Sequence, residues 1–120
     1  IVLFSSIAGR FGWRKRLPYA VSKAGIEAMA RTLAVEWAGR GIRVNAIAPG
    51  YVATPMVQEQ IDAGGLDGDA LAAYHALNRI ARPDEIARAV QFLLSKDSSF
   101  ITGETLYVDG GFSVKKVIPN

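Results

Sequence analysis

The chain has 120 residues, half of them apolar, with 14 Lys and Arg against 11 Asp and Glu, a formal charge of +3, and no Cys. That is enough for one domain at most, and it excludes disulfides, thiol catalysis and, with His75 the single His, the usual nitrogen and sulfur zinc site. No apolar run of about 18 residues is available to span a membrane. The basic residues are dispersed apart from Arg14, Lys15 and Arg16, and no signature of a nucleic-acid reader accompanies them.

Ile1, Val2, Leu3 and Phe4 form a continuous apolar run ending at Ser5 and Ser6, the pattern of a parallel strand buried on both faces. The run opens on Ile, with no charged leader ahead of it, which reads as a start inside a larger cytoplasmic protein. From Tyr19 to about Gly39, apolar residues recur at Ile26, Met29, Ala30, Leu33, Ala34 and Trp37, a helical stripe. Gly39 and Gly41 are stop signals, and Ile42 to Ile47 reads as a second strand ended by Pro49 and Gly50.

Tyr51 to Gly68 reads as an irregular functional loop, and Gly64, Gly65 and Gly68 predict a mobile lid. Asp69 to Asn78 has the pattern of a short helix. A stronger helix opens at Pro83, with Asp84 and Glu85 in the first turn where the helix dipole favours negative charge. Thr105 to Val108 is a third strand, closed by the turn residues Asp109, Gly110 and Gly111. Strands alternating with helices predict an α/β fold with a parallel sheet. The first strand, apolar on both faces, calls for a neighbour that the other two strands do not supply.

Tyr19 and Lys23 are four residues apart at the start of the long helix, so their side chains share a face. Ser6 closes the first strand where a parallel sheet opens its ligand crevice. Ser6, the run Tyr19-Ala20-Val21-Ser22-Lys23-Ala24-Gly25, the run Arg43-Val44-Asn45-Ala46-Ile47-Ala48-Pro49-Gly50, Thr54-Pro55-Met56, and Thr102-Gly103 before Val108-Asp109-Gly110-Gly111 together resemble the short-chain dehydrogenase/reductase family over nearly the whole chain.

The resemblance implies that residues 1–120 are the C-terminal half of a Rossmann-like doubly wound parallel sheet, three parallel strands with flanking helices, in a single NAD(P)-binding domain. It also implies an oxidoreductase that transfers a hydride between NAD or NADP and a small secondary alcohol or ketone. Tyr19 would be the acid/base, Lys23 would bind the nicotinamide ribose and lower the phenol's pKa, and Ser6 would orient the substrate oxygen. Pro49 and Gly50 would let backbone approach the nicotinamide, with Val52 and Thr54 near its carboxamide and the pyrophosphate. A homo-oligomer, dimer or tetramer, is implied as well. Relatives by motif are 3-oxoacyl carrier-protein reductases and sugar or polyol dehydrogenases.

The chain departs from the family pattern in three ways. No glycine-rich phosphate loop is present, since Gly9 and Gly12 are three apart and Gly64, Gly65 and Gly68 follow no strand. The residue that selects NAD or NADP and the family's catalytic Asn are likewise missing, Asn45 reading as structural. These gaps sustain an alternative, a truncated non-catalytic chain or pseudo-enzyme acting in subunit assembly. His75 reads as a surface or packing residue, Trp37 and Met29 as core or subunit interface. Arg14 to Arg16 reads as a solvated loop, or as the greeting for an anionic substrate.

Overall fold

A computed structural model of the chain describes residues 1–116. Three strands pair in one parallel sheet, in the order β1 (Val2–Phe4), β2 (Asn45–Pro49), β3 (Thr105–Val108). Helix α1 (Leu17–Trp37) joins β1 to β2, while α2 (Pro55–Asp62), α3 (Gly68–Ala73) and α4 (Pro83–Leu94) lie between β2 and β3. This is the α/β arrangement that the alternation of patterns predicts.

Helix α1 opens with Pro18 in its first turn, where a missing N–H leaves nothing unpaired. Ala30 and Ala34 pack on Val44 and Ala46, with Leu3, Leu33, Trp37 and Ile42 around them. Alanines on this face let the helix axis lie close to the sheet. Trp37 therefore belongs to the core, whereas Met29 is half exposed and outside that cluster. The helix gives way to a 3-10 turn, Ala38–Arg40, which Gly41 ends at φ 72°, a left-handed position suited to glycine.

The second strand begins at Asn45 rather than Ile42. The residues ahead of it are engaged by the 101–104 segment instead: the Val44 N–H donates to Thr102 Oγ1 at 3.1 Å, and the Val44 carbonyl accepts from the Gly103 N–H at 2.7 Å. Asn45 is structural, as its sequence context suggests, since it donates from Nδ2 to the Ile101 carbonyl and accepts the Glu104 N–H on Oδ1, both at 3.0 Å.

The stretch from Tyr51 to Gly68 is not irregular throughout, for α2 occupies Pro55–Asp62. Thr54 Oγ1 accepts the Val57 N–H at 3.3 Å and Pro55 follows, a capped helix start that the Gly and Asp content of the stretch obscures. A parallel bridge between Val52 and Ala81 clamps the base of this excursion, with the Ala53 N–H donating to the Ala81 carbonyl at 2.8 Å. The short helix expected over Asp69 to Asn78 is confined to Gly68–Ala73.

Helix α4 opens at Pro83 as predicted. Glu85 reaches back to accept the Arg82 N–H at 2.8 Å and pairs with Arg79 at 2.7 Å. The guanidinium of Arg43 serves its other end, donating to the carbonyls of Leu93, Ser95 and Ile101 at 3.0, 3.1 and 3.0 Å.

Strand β1 is covered only in part by the residues described. Val2 and Leu3 are partly buried and Phe4 is 52% exposed. Among the described residues β1 pairs with β2 alone, so its other edge has no cover. Among the same residues no helix is long and apolar enough to cross a membrane, and no group of three or more His, Asp or Glu could hold a metal ion.

Candidate active site

All three strands run in one direction, so their carboxyl ends share one edge of the sheet, where open α/β folds bind ligands. Ser5 and Ser6 leave β1 at this edge, Gly50 leaves β2 and Asp109 leaves β3. Lys23 donates from Nζ to the Phe4 carbonyl at 2.9 Å, which ties the first turns of α1 to the end of β1. Its ammonium lies 5.6 Å from the centroid of the Tyr19 ring. The structure thus brings Tyr19 and Lys23 together.

Tyr19 is 44% exposed and borders an open cleft of about 570 Å³, whose other walls are Trp13, Arg14, Arg16, Tyr51 and Met56. Ser6 is buried, and its Oγ accepts the Ala8 N–H at 3.2 Å, capping the 3-10 turn Ile7–Gly9. A hydroxyl that accepts one bond keeps its own proton for donation. Among the described residues no hydrogen bond joins Ser6 Oγ to the Tyr19 hydroxyl.

Packing behind the site fixes the register of α1 against the end of β1. Ser5 Oγ lies 2.9 Å from Glu27 Oε1 and 3.0 Å from the Lys23 carbonyl, and the Tyr107 hydroxyl donates to Glu27 Oε1 at 3.3 Å. Burial first, then the Glu27 carboxylate, push the Tyr107 phenol above its ordinary pKa, with Arg10 opposing. A Cβ at Gly9 would lie 2.8 Å from Glu27 Oε1 and 3.0 Å from the Lys23 backbone, so a larger residue in the turn after Ser6 would displace the Glu27 carboxylate and press on α1.

The candidate cofactor residues Pro49, Gly50, Val52 and Thr54 fall in one segment running from the end of β2 to the start of α2. Pro49 closes the strand, Val52 bridges to Ala81, and Thr54 caps α2. Gly50 has a packing role of its own: a Cβ there would lie 2.7 Å from His75 Nε2 and 3.1 Å from Asp109 Cα. His75 is the packing residue of the two readings open for it, at 1% exposure. Its Nε2 accepts the Tyr51 N–H at 3.2 Å, so Nδ1 carries the ring proton and donates to the Leu71 carbonyl at 2.9 Å.

Trp13 and Tyr51 are cleft walls that no motif in the sequence marks, and Met56 joins them from the Thr54-Pro55-Met56 run. Trp13 and Tyr51 have ring centroids 5.8 Å apart at an interplanar angle of 34°. Burial, then Tyr74, push the Tyr51 phenol up, and the Arg16 guanidinium opposes them. The signal was present in position: Tyr51 follows Pro49-Gly50 at the end of a strand, and Trp13 lies between Ser6 and Tyr19.

A family model described as enoyl-(acyl carrier protein) reductase matches residues 1–113. An uncharacterized short-chain type dehydrogenase/reductase, y4vI of Sinorhizobium fredii, is 57% identical over 112 residues, which is 93% of this chain and 20% of that protein. The 3-oxoacyl-[acyl-carrier-protein] reductase FabG of Thermotoga maritima is 40% identical over 114 residues, 95% of this chain and 45% of its own length. The solved structure of ElxO with NADP bound superposes with a TM-score of 0.90 at 34% identity, covering 96% of this chain and 46% of that one. The chain therefore spans less than half the length of each of these proteins. Matched from Ile1 to Ser113, with three parallel strands of the Rossmann-like sheet and flanking helices in place, the chain belongs to the short-chain dehydrogenase/reductase family.

Proposed function

We propose that residues 1–120 are the C-terminal part of a single NAD(P)-binding Rossmann-like domain and carry the proton-transfer side of its active site. The reaction is reversible oxidation of a secondary alcohol to a ketone with NAD or NADP. The observation that carries this reading is Tyr19, open to a cleft at the carboxyl edge of the sheet, with the Lys23 ammonium held beside it by the Phe4 carbonyl. A tyrosine kept only for assembly has no need of a flanking cation, which favours this reading over the non-catalytic alternative.

The residues present fit a nicotinamide ribose. An ammonium has three donors, and Lys23 uses one on Phe4, leaving two for ribose hydroxyls. The segment Pro49 to Thr54 borders the same edge of the sheet, where its backbone would hold the ring and its carboxamide. When bound, the nicotinamide supplies the hydride acceptor for oxidation and the donor for reduction.

The chain's own residues handle the proton and the orientation. Tyr19 takes the hydroxyl proton as the ketone forms and returns it on reduction. Lys23, its ammonium 5.6 Å from the centroid of the Tyr19 ring, sets a positive charge beside the phenol that exchanges the proton. Ser6, held by Ala8, donates its proton to the substrate oxygen and fixes its position. The phosphate-binding glycine loop, absent from these 120 residues, is assigned to another part of the domain.

The proposal includes a homo-oligomer. Leu17, Val21 and Val35 are 73%, 62% and 82% exposed on α1, with exposed Ala24 and Ala28 between them. At about 100° per residue these five lie within roughly 60° of one another, an uncovered apolar stripe suited to a second copy. The functional reading is tested by incubating the full-length protein with a panel of secondary alcohols and each dinucleotide, following nicotinamide absorbance. Turnover with at least one pair is expected; none with either dinucleotide contradicts the reading.

A further inference from the structure

The proton transfer proposed above leaves one sequence feature unused, the cationic run Arg14 to Arg16. Trp13 to Arg16 form a turn in which the Arg16 N–H donates to the Trp13 carbonyl at 3.4 Å and Lys15 takes φ 61°. This turn puts Trp13, Arg14 and Arg16 on the wall of the cleft that Tyr19 borders, and leaves Lys15 off it. Among the described residues neither Arg14 nor Arg16 has a carboxylate within ion-pair distance, whereas Arg79, Arg82 and Arg88 all do. The field of Arg16 nonetheless reaches Tyr51, whose phenol it draws down against burial.

The remaining walls are apolar or aromatic. Trp13 and Tyr51 meet as tilted rings, and Met56 extends the surface with an adaptable thioether. A cleft of about 570 Å³ has the volume of a small-molecule site. A neutral sugar can offer hydroxyl acceptors to the guanidiniums, but it brings no charge to balance theirs and sets polar edges against aromatic walls. A planar guanidinium is instead matched to a carboxylate, and ring faces to another ring.

We propose that the ketone or alcohol taken by this site is a single-ring carboxylic acid. Arg14 and Arg16 hold its carboxylate, Trp13, Tyr51 and Met56 hold its ring, and Tyr19 meets its reacting oxygen. The inference rests on the assignment of Tyr19 to proton transfer, and it adds the class of substrate and the residues that select it.

The test compares para-acetylbenzoate with acetophenone, two ketones that differ by one carboxylate, as substrates of the full-length protein with NADH and NADPH. The acid is expected to have a kcat/KM at least about tenfold higher, the difference residing in KM. Arg14→Gln with Arg16→Gln brings the ratio to about one, and added salt lowers it in the unsubstituted protein. A second measurement does not depend on turnover: benzoate quenches the part of the tryptophan emission that Trp13→Phe removes, and the double arginine variant abolishes that quenching.

Equal kcat/KM values for the two ketones overturn the inference, and so does a preference that survives in the double variant. Reduction of acetophenone without any carboxylate preference overturns the substrate class alone and leaves the dehydrogenase reading standing. Arginine-dependent quenching by benzoate with no turnover of either ketone supports the anion site and counts against the dehydrogenase reading.

Discussion

His75 shows how a residue with no part in the proposed chemistry can hold the site together. Its ring occupies the space that the missing side chain of Gly50 leaves, and its two nitrogens bind the start of the excursion after β2 to the end of α3. Replacing His75 by Ala strands the part-buried Tyr51 N–H and empties the space that the buried imidazole fills. A loss of about 2 to 4 kcal/mol in a denaturant melt of the full-length protein is expected. Nitrogen NMR of the ring is expected to show the proton on Nδ1; a proton on Nε2 would contradict the hydrogen-bond assignment. Gly50→Ala brings a Cβ against both the imidazole and the Asp109 backbone, and about 1 to 3 kcal/mol of overpacking is expected.

The candidate catalytic residues were legible in the sequence because their signal is local. Tyr19 and Lys23 declare themselves by a spacing of four, and Ser6 by its place after an apolar run. The roles of His75 and Arg43 were not legible, since the Tyr51 N–H that His75 accepts and the Leu93 carbonyl that Arg43 meets lie 24 and 50 residues away and no periodicity marks them. The same holds for Trp13 and Tyr51, which become one wall only after the turn at Lys15 and the strand end at Pro49 bring them together.

At the scale of elements, the helices with strong end signals were predicted best. Pro83, Asp84 and Glu85 announce α4 by charge and proline position, and the structure adds the partners. The Arg79 guanidinium, bonded through both nitrogens to Glu85, and the Arg82 N–H hold the Glu85 carboxyl down at about 2, against an ordinary 4.5. A carboxyl depressed in the folded state stabilises the fold fully above its unfolded pKa, and that contribution is lost as pH falls from about 4.5 through about 2. Glu85→Gln is therefore expected to flatten the acid limb of Tm against pH within that window, and little above it. An unchanged acid limb would show that the pair is too well screened to matter.

Helix α2 was missed because its Thr54-Pro55 start lies inside a stretch whose later glycines read as a loop. Its base is clamped by the Val52 to Ala81 bridge and by His75, which limits any lid motion to the part beyond the clamp. Hydrogen exchange is expected to be fast at Gly64 and Gly65 and slow at Ala53 and Ala81. Uniform protection across the segment would contradict a moving lid.

On the scale of the whole molecule, the sheet has a covered side and an open edge. The core of Ala30, Ala34, Val44 and Ala46 is sealed by α1, while Phe4 on β1 and the stripe Leu17, Val21 and Val35 on α1 remain exposed. Burying large apolar side chains is worth about 1.5 to 3 kcal/mol each, so a second copy on that stripe gains several kcal/mol. Light scattering of the full-length protein is expected to give a dimer or tetramer, and Val21→Lys with Val35→Lys to weaken it. A monomer at micromolar concentration would contradict the assembly.

The central claim is that Tyr19 moves the proton. It is tested most directly by Tyr19→Phe in the full-length protein, with dinucleotide binding read by nicotinamide fluorescence and turnover read by absorbance. Loss of one hydroxyl leaves the ring against Lys23 and the cleft wall in place, so binding is predicted to change by less than about threefold while kcat falls at least about 100-fold. Turnover within about threefold of the unsubstituted protein would contradict the account.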